Sequence, residues 1–274
     1  MTVTDLVYNP YAFAIHDDPY DTYRRLRDEA PAYWNPELSF WVLSRFEDVQ
    51  NAFKDFDTFS STGGVALESR RRRDGGRMEF QQMIEMDPPD HTSFRKLVNR
   101  IFTGRRVAAM EEDIRNIFNG YLDQIIELGE ADLVHDVTSP FPMDVISAFL
   151  DIPESDRAEL RAYSDTILIR EDGKMELPQV AAEGMFAMLQ YFIDDLPKRR
   201  ENPRNGIIDD LLTLEVDGRS LTEEELLGFC ILFVIAGHET TTKMVANAIE
   251  LLSRHSDQKR DIAQNLDLAS NAVE

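Results

Sequence analysis

The chain has 274 residues, 43% of them hydrophobic, enough to bury a sizeable core as one large or two medium domains. Lys and Arg number 29 against 51 Asp and Glu, so the formal net charge of −22 makes nucleic acid and anionic membrane surfaces poor candidates as partners. A lone cysteine, Cys230, excludes an internal disulfide framework and fits a reducing, cytoplasmic setting.

No stretch approaches the roughly 18 uninterrupted apolar residues of a membrane span. Met1–Tyr11 lacks the basic flank and apolar core of a signal peptide, so no membrane anchor is expected. Asp18-Pro19-Tyr20 opens a first helix with Tyr20, Tyr23 and Leu26 spaced for one buried face, stopping before Pro31. Ala32–Trp34 and Phe40–Leu43 flank the turn-rich Asn35-Pro36-Glu37-Leu38-Ser39 and predict a small N-terminal β-hairpin. Helix resumes over 45–53, with Phe46, Val49 and Phe53 on one stripe. Ser60–Arg77 shifts to Ser, Gly and Arg and reads as a long functional loop. Its Arg70-Arg71-Arg72-Arg73 run, flanked by Gly75-Gly76, reads as a solvated loop rather than a nucleic-acid patch.

Helices dominate from there: 91–102 after Asp87-Pro88-Pro89, then 108–128 with a stripe through Met110, Ile114, Ile117 and Tyr121. The nearly all-apolar 140–150 predicts a buried helix closed by Asp151-Ile152-Pro153. Two further helices, 154–169 and 177–199, join through the polar turn Arg170-Glu171-Asp172-Gly173. A short helix at 207–214 and a turn at Asp217-Gly218-Arg219 precede the longest helix. Thr222 and Glu225 make a capping box for it, and Glu223 and Glu224 suit its positive end. The run Gly228–Ile235 is apolar on every side and so is expected to be buried on every side. Continued to Ser253, the helix measures roughly 48 Å at 1.5 Å per residue. No linker or repeat divides the chain, so residues 1–274 read as a single, mainly α unit.

Inside that helix, Ala236-Gly237-His238-Glu239-Thr240-Thr241 breaks the apolar pattern. Gly237 costs about 0.5–1 kcal/mol relative to Ala, threonines are poor helix formers, and a buried Glu239 needs a partner. Such a cluster of locally unfavourable choices points to function or to a special packing contact. Gly237 leaves room for a flat ligand or a diatomic molecule to approach the backbone. Thr240 lies four residues after Ala236, so its hydroxyl can compete for that carbonyl and open the turn into a proton relay with Glu239. The packing alternative is a close helix crossing at Ala236-Gly237, with back-bonded threonines and Glu239 at solvent. A metal reading of His238 and Glu239 finds no second His or carboxylate at i+3 or i+4, and adjacent helical residues point about 100° apart.

Ala-Gly-His-Glu-Thr-Thr resembles the [A/G]-G-x-[D/E]-T-[T/S] signature in the central helix of the cytochrome P-450 family. Met86–Arg95 resembles the D-P-P-x-H-x-x-x-R segment of its soluble bacterial members. Pro153–Arg157, the Trp34/Trp41 hairpin and the order of helices match as well, so the resemblance spans essentially the whole chain. It implies a mainly α, incomplete cytochrome P-450 fold with a long central helix. It implies haem b (iron protoporphyrin IX) and dioxygen as cofactors, a small hydrophobic substrate, and a soluble ferredoxin-type electron donor. Carried over residue by residue, His91 and Arg95 would bind the haem propionates, for which an imidazole and a guanidinium four apart on one helix face are suited. A mere surface pair is the alternative. Ala236 and Gly237 would face the distal side of the porphyrin. Thr240 would donate to dioxygen, and Glu239 would help deliver protons for O–O cleavage. Leu232 and Ile235 would line the substrate pocket, between this helix and mobile segments at 60–82 and 163–187.

The family's thiolate ligand comes from an F-x-x-G-x-x-x-C loop far downstream, preceded by an E-x-x-R pair, and neither is in the chain. A thiolate pushes electron density onto iron to favour O–O cleavage. Cys230, nearly two turns before Gly237 in an apolar run, reads as a core residue on the wrong helix. No metal ligand is therefore expected in this chain. The tail Asp267–Glu274 reads as the approach to the E-x-x-R helix, leaving roughly a third of a family-length chain absent. Two functions follow from this: the N-terminal portion of a monooxygenase, or a truncated, inactive helical protein with a remnant distal pocket.

Overall fold

The computed structural model describes residues 6–68, 82–204, 206–216 and 218–274. Helix α1 (Phe13–Asp17) is short, and α2 (Tyr20–Glu29) ends at Ala30, before Pro31, as expected. Of the anticipated face only Leu26 is fully covered. Tyr20 stays in solvent and Tyr23 is capped on one edge by the Tyr8 ring. Strands β1 (Ala32–Asn35) and β2 (Phe40–Leu43) pair antiparallel, Ala32 opposite Leu43 and Trp34 opposite Trp41. The two indoles meet at 5.2 Å across the pair, a contact of the kind that fixes strand register. In α3 (Phe46–Lys54) the expected stripe is present but unburied, Phe46 being 76% and Phe53 86% exposed. Val49, between them on the stripe, is partly covered.

Residues 60–68 form turns, and the rest of the expected loop, including Arg70–Arg73, lies outside the described residues. Asp87 ties that loop to the next helix: its carboxylate accepts from Ser60 Oγ at 2.5 Å and from the Ser61 amide at 2.9 Å. These bonds hold the Asp87 carboxyl below the usual carboxylate range, the Ser60 hydroxyl contributing most. Helix α4 (Asp90–Ile101) then buries Phe94, Leu97, Val98 and Ile101 on one face.

The single helix expected over 108–128 is two, α5 (Gly104–Ala109) and α6 (Glu111–Ile125). Thr103 caps α5 by accepting from the Arg106 amide, and Glu111-Glu112-Asp113 supply the acidic first turn of α6. A π-helical turn, Val134–Thr138, which the apolar pattern did not announce, leads into α7 (Pro140–Leu150). Asp151 closes α7 in the left-handed region at φ 52°. Helices α8 (Glu154–Ile167) and α9 (Gln179–Glu201) pack as a pair so tight that a Cβ on Gly184 would stand 2.1 Å from Thr166 Oγ1.

After α10 (Ile207–Thr213), α11 (Glu223–Arg254) runs 32 residues through the middle of the helical layer, packed on α7, α8, α9 and α10. Both hydrogen bonds of the Thr222/Glu225 capping box are made. Phe229, Cys230, Ile231 and Val234 join Leu150, Leu160, Met188, Phe192, Leu196 and Ile208 in the core. Each such side chain contributes about 1.5–3 kcal/mol by leaving water. Leu232, Phe233 and Ile235 are only partly covered, so burial on every side stops short of complete. By length and composition α11 is, among the described residues, the one helix able to cross a bilayer, and here it is a core element. Helices α12 (Ser256–Gln264) and α13 (Leu268–Val273) bury no residue.

A buried charge network sits behind α11. The Arg199 guanidinium has no solvent exposure, donates to Asp195 at 2.5 Å and to the Asp151 carbonyl at 3.0 Å, and approaches Asp209 at 3.8 Å. Arg204 completes it on Asp195 at 2.8 Å. This network pins α9 to the end of α7 and the start of α10.

Candidate functional site

The pattern break in α11 divides by helical face. Ala236 and Thr240, one turn apart, are exposed on the same side. The Thr240 hydroxyl donates to the Ala236 carbonyl, as expected, yet α11 remains α-helical throughout. A carbonyl has two lone pairs, so the hydroxyl shares the acceptor rather than opening the turn. Thr242 repeats the motif toward the interior, its hydroxyl donating to the His238 carbonyl at 3.0 Å.

Gly237 turns toward α7. A Cβ there would lie 2.2 Å from Ile146 Cδ1 and 3.0 Å from Cγ1, so the missing side chain makes room for a neighbouring helix. That is the packing alternative, observed for this residue. Glu239 is neither buried alone nor free. Its side chain is 23% exposed and pairs with Lys243 one turn on at 2.7 Å.

His238 is fully buried. Its Nε2 faces the Ser139 carbonyl at 3.0 Å and its Nδ1 the Ser164 hydroxyl at 3.1 Å, with Asp165 Oδ1 at 3.8 Å. The imidazole thereby joins α11 to α8 and to the residue before α7. Asp165, His238 and Glu239 each bring one donor atom within 4.8 Å of the others. Burial, reinforced by the Glu239 charge, pushes the Asp165 carboxyl up, while His238 and Arg161 pull the other way. Local spacing found no partner for His238 because the partners stand 74 and 99 residues away.

On α4, His91 and Arg95 stand one turn apart on the flank of the buried Phe94 and Val98 stripe, His91 half-buried and Arg95 exposed. Among the described residues the Arg95 guanidinium has no ion-pair partner, and no hydrogen bond or ion pair joins this pair to the α11 residues. Two bridges relate the helices instead. The turn Met83–Glu85 packs on both, and Phe102, just past α4, meets Phe233 of α11 at 5.3 Å. Phe229 and Phe149 extend that aromatic cluster, at 5.4 and 6.2 Å from Phe233. Ile235 packs on the core beside it and Leu232 is partly buried. Cys230 lies fully buried on the inner side, where burial pushes its thiol well above the ordinary range.

No family model matches the chain. It is 39% identical over 254 residues to a putative cytochrome P-450 of Mycobacterium tuberculosis, covering 93% of this chain and 63% of that protein. It is 31% identical over 281 residues to cytochrome P-450 107B1 of Saccharopolyspora erythraea, covering 99% of this chain and 68% of the relative. The chain belongs to the cytochrome P-450 family. The solved structure of a cytochrome P-450 from Chondromyces apiculatus superposes with a TM-score of 0.83 at 29% identity, over 96% of this chain and 65% of that one. The match covering 99% of the chain takes in both the Asp87–Arg95 and the Ala236–Thr241 segments. The chain spans 63% of the length of its mycobacterial relative, so it carries the long helix and hairpin of a cytochrome P-450 without the whole of that length.

Proposed function

We propose that this chain, one partial cytochrome P-450 domain, supplies the distal half of a cytoplasmic haem-thiolate monooxygenase. Such an enzyme inserts one oxygen atom from dioxygen into a hydrophobic small molecule, with electrons from a ferredoxin-type donor. The observation that carries the reading is the exposed Ala236/Thr240 face of a helix that buries Phe229, Cys230, Ile231, Val234 and His238, with the Glu239 carboxylate beside it.

The residues present fit the distal half of haem b. Arg95, without an ion-pair partner among the described residues, and His91 beside it offer donors to paired carboxylates. Ala236 leaves a flat approach to α11. When bound, the haem supplies the iron centre at which dioxygen is reduced. Cys230 cannot supply the thiolate, being fully buried in the core. The Thr240 hydroxyl holds a proton at Oγ1, parked on the Ala236 carbonyl, and rotation about one bond turns it toward the open face. Glu239, reaching solvent beside Lys243, replaces that proton. Gly237 acts through its lack of a side chain, which lets α7 support the helix from behind. Leu232 and Ile235 present the apolar side on which substrate would rest.

A second reading, favoured by the burial of Cys230, is that the 274-residue chain by itself is an inactive helical protein with a remnant distal pocket. Hemin titration of the purified chain separates the two halves of the proposal. Arg95→Ala should weaken hemin binding about tenfold, the worth of a charge-assisted hydrogen bond, and unchanged affinity would remove Arg95 from the role. The reduced, CO-treated chain should show no thiolate-type Soret band. A stable one would overturn the assignment of Cys230 as inert.

A further inference from the structure

We propose that His238 Nδ1, Asp165 and Glu239 form a binding site for a divalent transition-metal ion of the zinc class, clamping α8 to α11. Three observations assemble it. The three donor atoms already lie within 4.8 Å of one another, drawn from two helices that are 74 residues apart in sequence at Ser164 and His238. The imidazole is fully buried and its tautomer is set from outside. Nε2 faces a carbonyl, which only accepts, so Nε2 carries the hydrogen and Nδ1 of the neutral ring keeps a lone pair, with the Ser164 hydroxyl at 3.1 Å and Asp165 Oδ1 at 3.8 Å. An outer carbonyl holding the second ring nitrogen is the usual support of a metal-binding histidine. Finally, the Asp165 side chain is 51% exposed, which gives an ion an entry path from solvent.

The donor set is one imidazole nitrogen and two carboxylate oxygens, suited to Zn²⁺ or Co²⁺ rather than to thiophilic or all-oxygen ions. Two carboxylates and a neutral imidazole present −2 to the ion. Ser164 Oγ, 3.1 Å from Nδ1, either gives up its hydrogen bond or turns its oxygen inward as a further ligand. Lys243 is the competitor, since it holds Glu239 in the metal-free arrangement. An occupied site would tie the Glu239 carboxylate to α8 and so withhold it from the face of α11 beside Thr240. Metal binding at the site needs neither haem nor the monooxygenase reading to be tested.

The test uses the purified 274-residue chain and the metal alone. Co²⁺ titration should give saturable 1:1 binding with visible ligand-field bands, displaced by Zn²⁺. Asp165→Asn and Glu239→Gln should each weaken it on the order of tenfold or more. Both side chains are partly exposed, so these variants keep the core intact and circular dichroism checks that they do. His135→Ala, at the exposed surface pair His135–Asp136, should leave binding unchanged. Absence of saturable binding, wild-type affinity in both carboxylate variants, or loss in His135→Ala would each overturn the proposal.

Discussion

Ile146 of α7 fills the space that a side chain on Gly237 of α11 would need, its Cδ1 lying 2.2 Å from the position of a Cβ there. The two helices meet closely at this point because one of them lacks a side chain. Gly237→Ala gains helix propensity worth about 0.5–1 kcal/mol but drives its methyl into a residue that is itself buried. Overpacking costs about 1–3 kcal/mol, so the clash wins and the variant should be destabilised. Ile146→Val removes the offending Cδ1. The double variant should therefore be more stable than the sum of the two single losses, by about 1 kcal/mol in urea unfolding.

Arg199→Met should cost about 3–5 kcal/mol, because it leaves Asp195 and Asp209 in the core without their central cation. Arg204→Ala, at the partly exposed edge of the same network, should cost clearly less. Equal losses in guanidinium unfolding would mean that Arg199 is not the hub.

The protonation of Cys230 gives a pH prediction. Burial raises its thiol above the ordinary value of 9.0, so above that pH the unfolded chain releases a proton that the folded chain keeps. Stability is then full below about pH 9 and falls as pH rises, by roughly 1.4 kcal/mol per unit from this group. Comparing Cys230→Ala with the parent at pH 8 and pH 10 isolates the effect. The parent should lose more stability than the variant, and native Cys230 should resist thiol reagents until unfolding.

Much of the fold is legible because its signals are local. Thr222 and Glu225 specify where α11 begins, Pro31 stops α2, and the Trp34/Trp41 pairing follows from aromatic residues on both sides of a turn. What was not legible is tertiary. The Phe46/Phe53 stripe has helical period, yet both rings stay largely in solvent. The break between α5 and α6 was signalled by Glu111-Glu112-Asp113, yet the continuing apolar period of Met110 and Ile114 masked it. At the site, spacing singled out Gly237 but could not distinguish a ligand from Ile146 as the reason. It also read His238 as lacking carboxylate partners, because Asp165 arrives on another helix.

The two threonines of the motif separate function from packing by experiment. Thr242 is buried and its hydroxyl satisfies the His238 carbonyl inside the core, so Thr242→Ala should cost about 1–2 kcal/mol. Thr240 makes the same i−4 bond on the open face, where water can replace the hydroxyl. Alanine there also improves helix propensity by a few tenths of a kcal/mol, so Thr240→Ala should leave stability within about 0.5 kcal/mol or raise it slightly. A residue that is costly to helix propensity and gives nothing back to folding is kept for what it does on the exposed side. Unfolding curves showing Thr240→Ala as damaging as Thr242→Ala would place Thr240 among the packing residues and withdraw the strongest support for the relay.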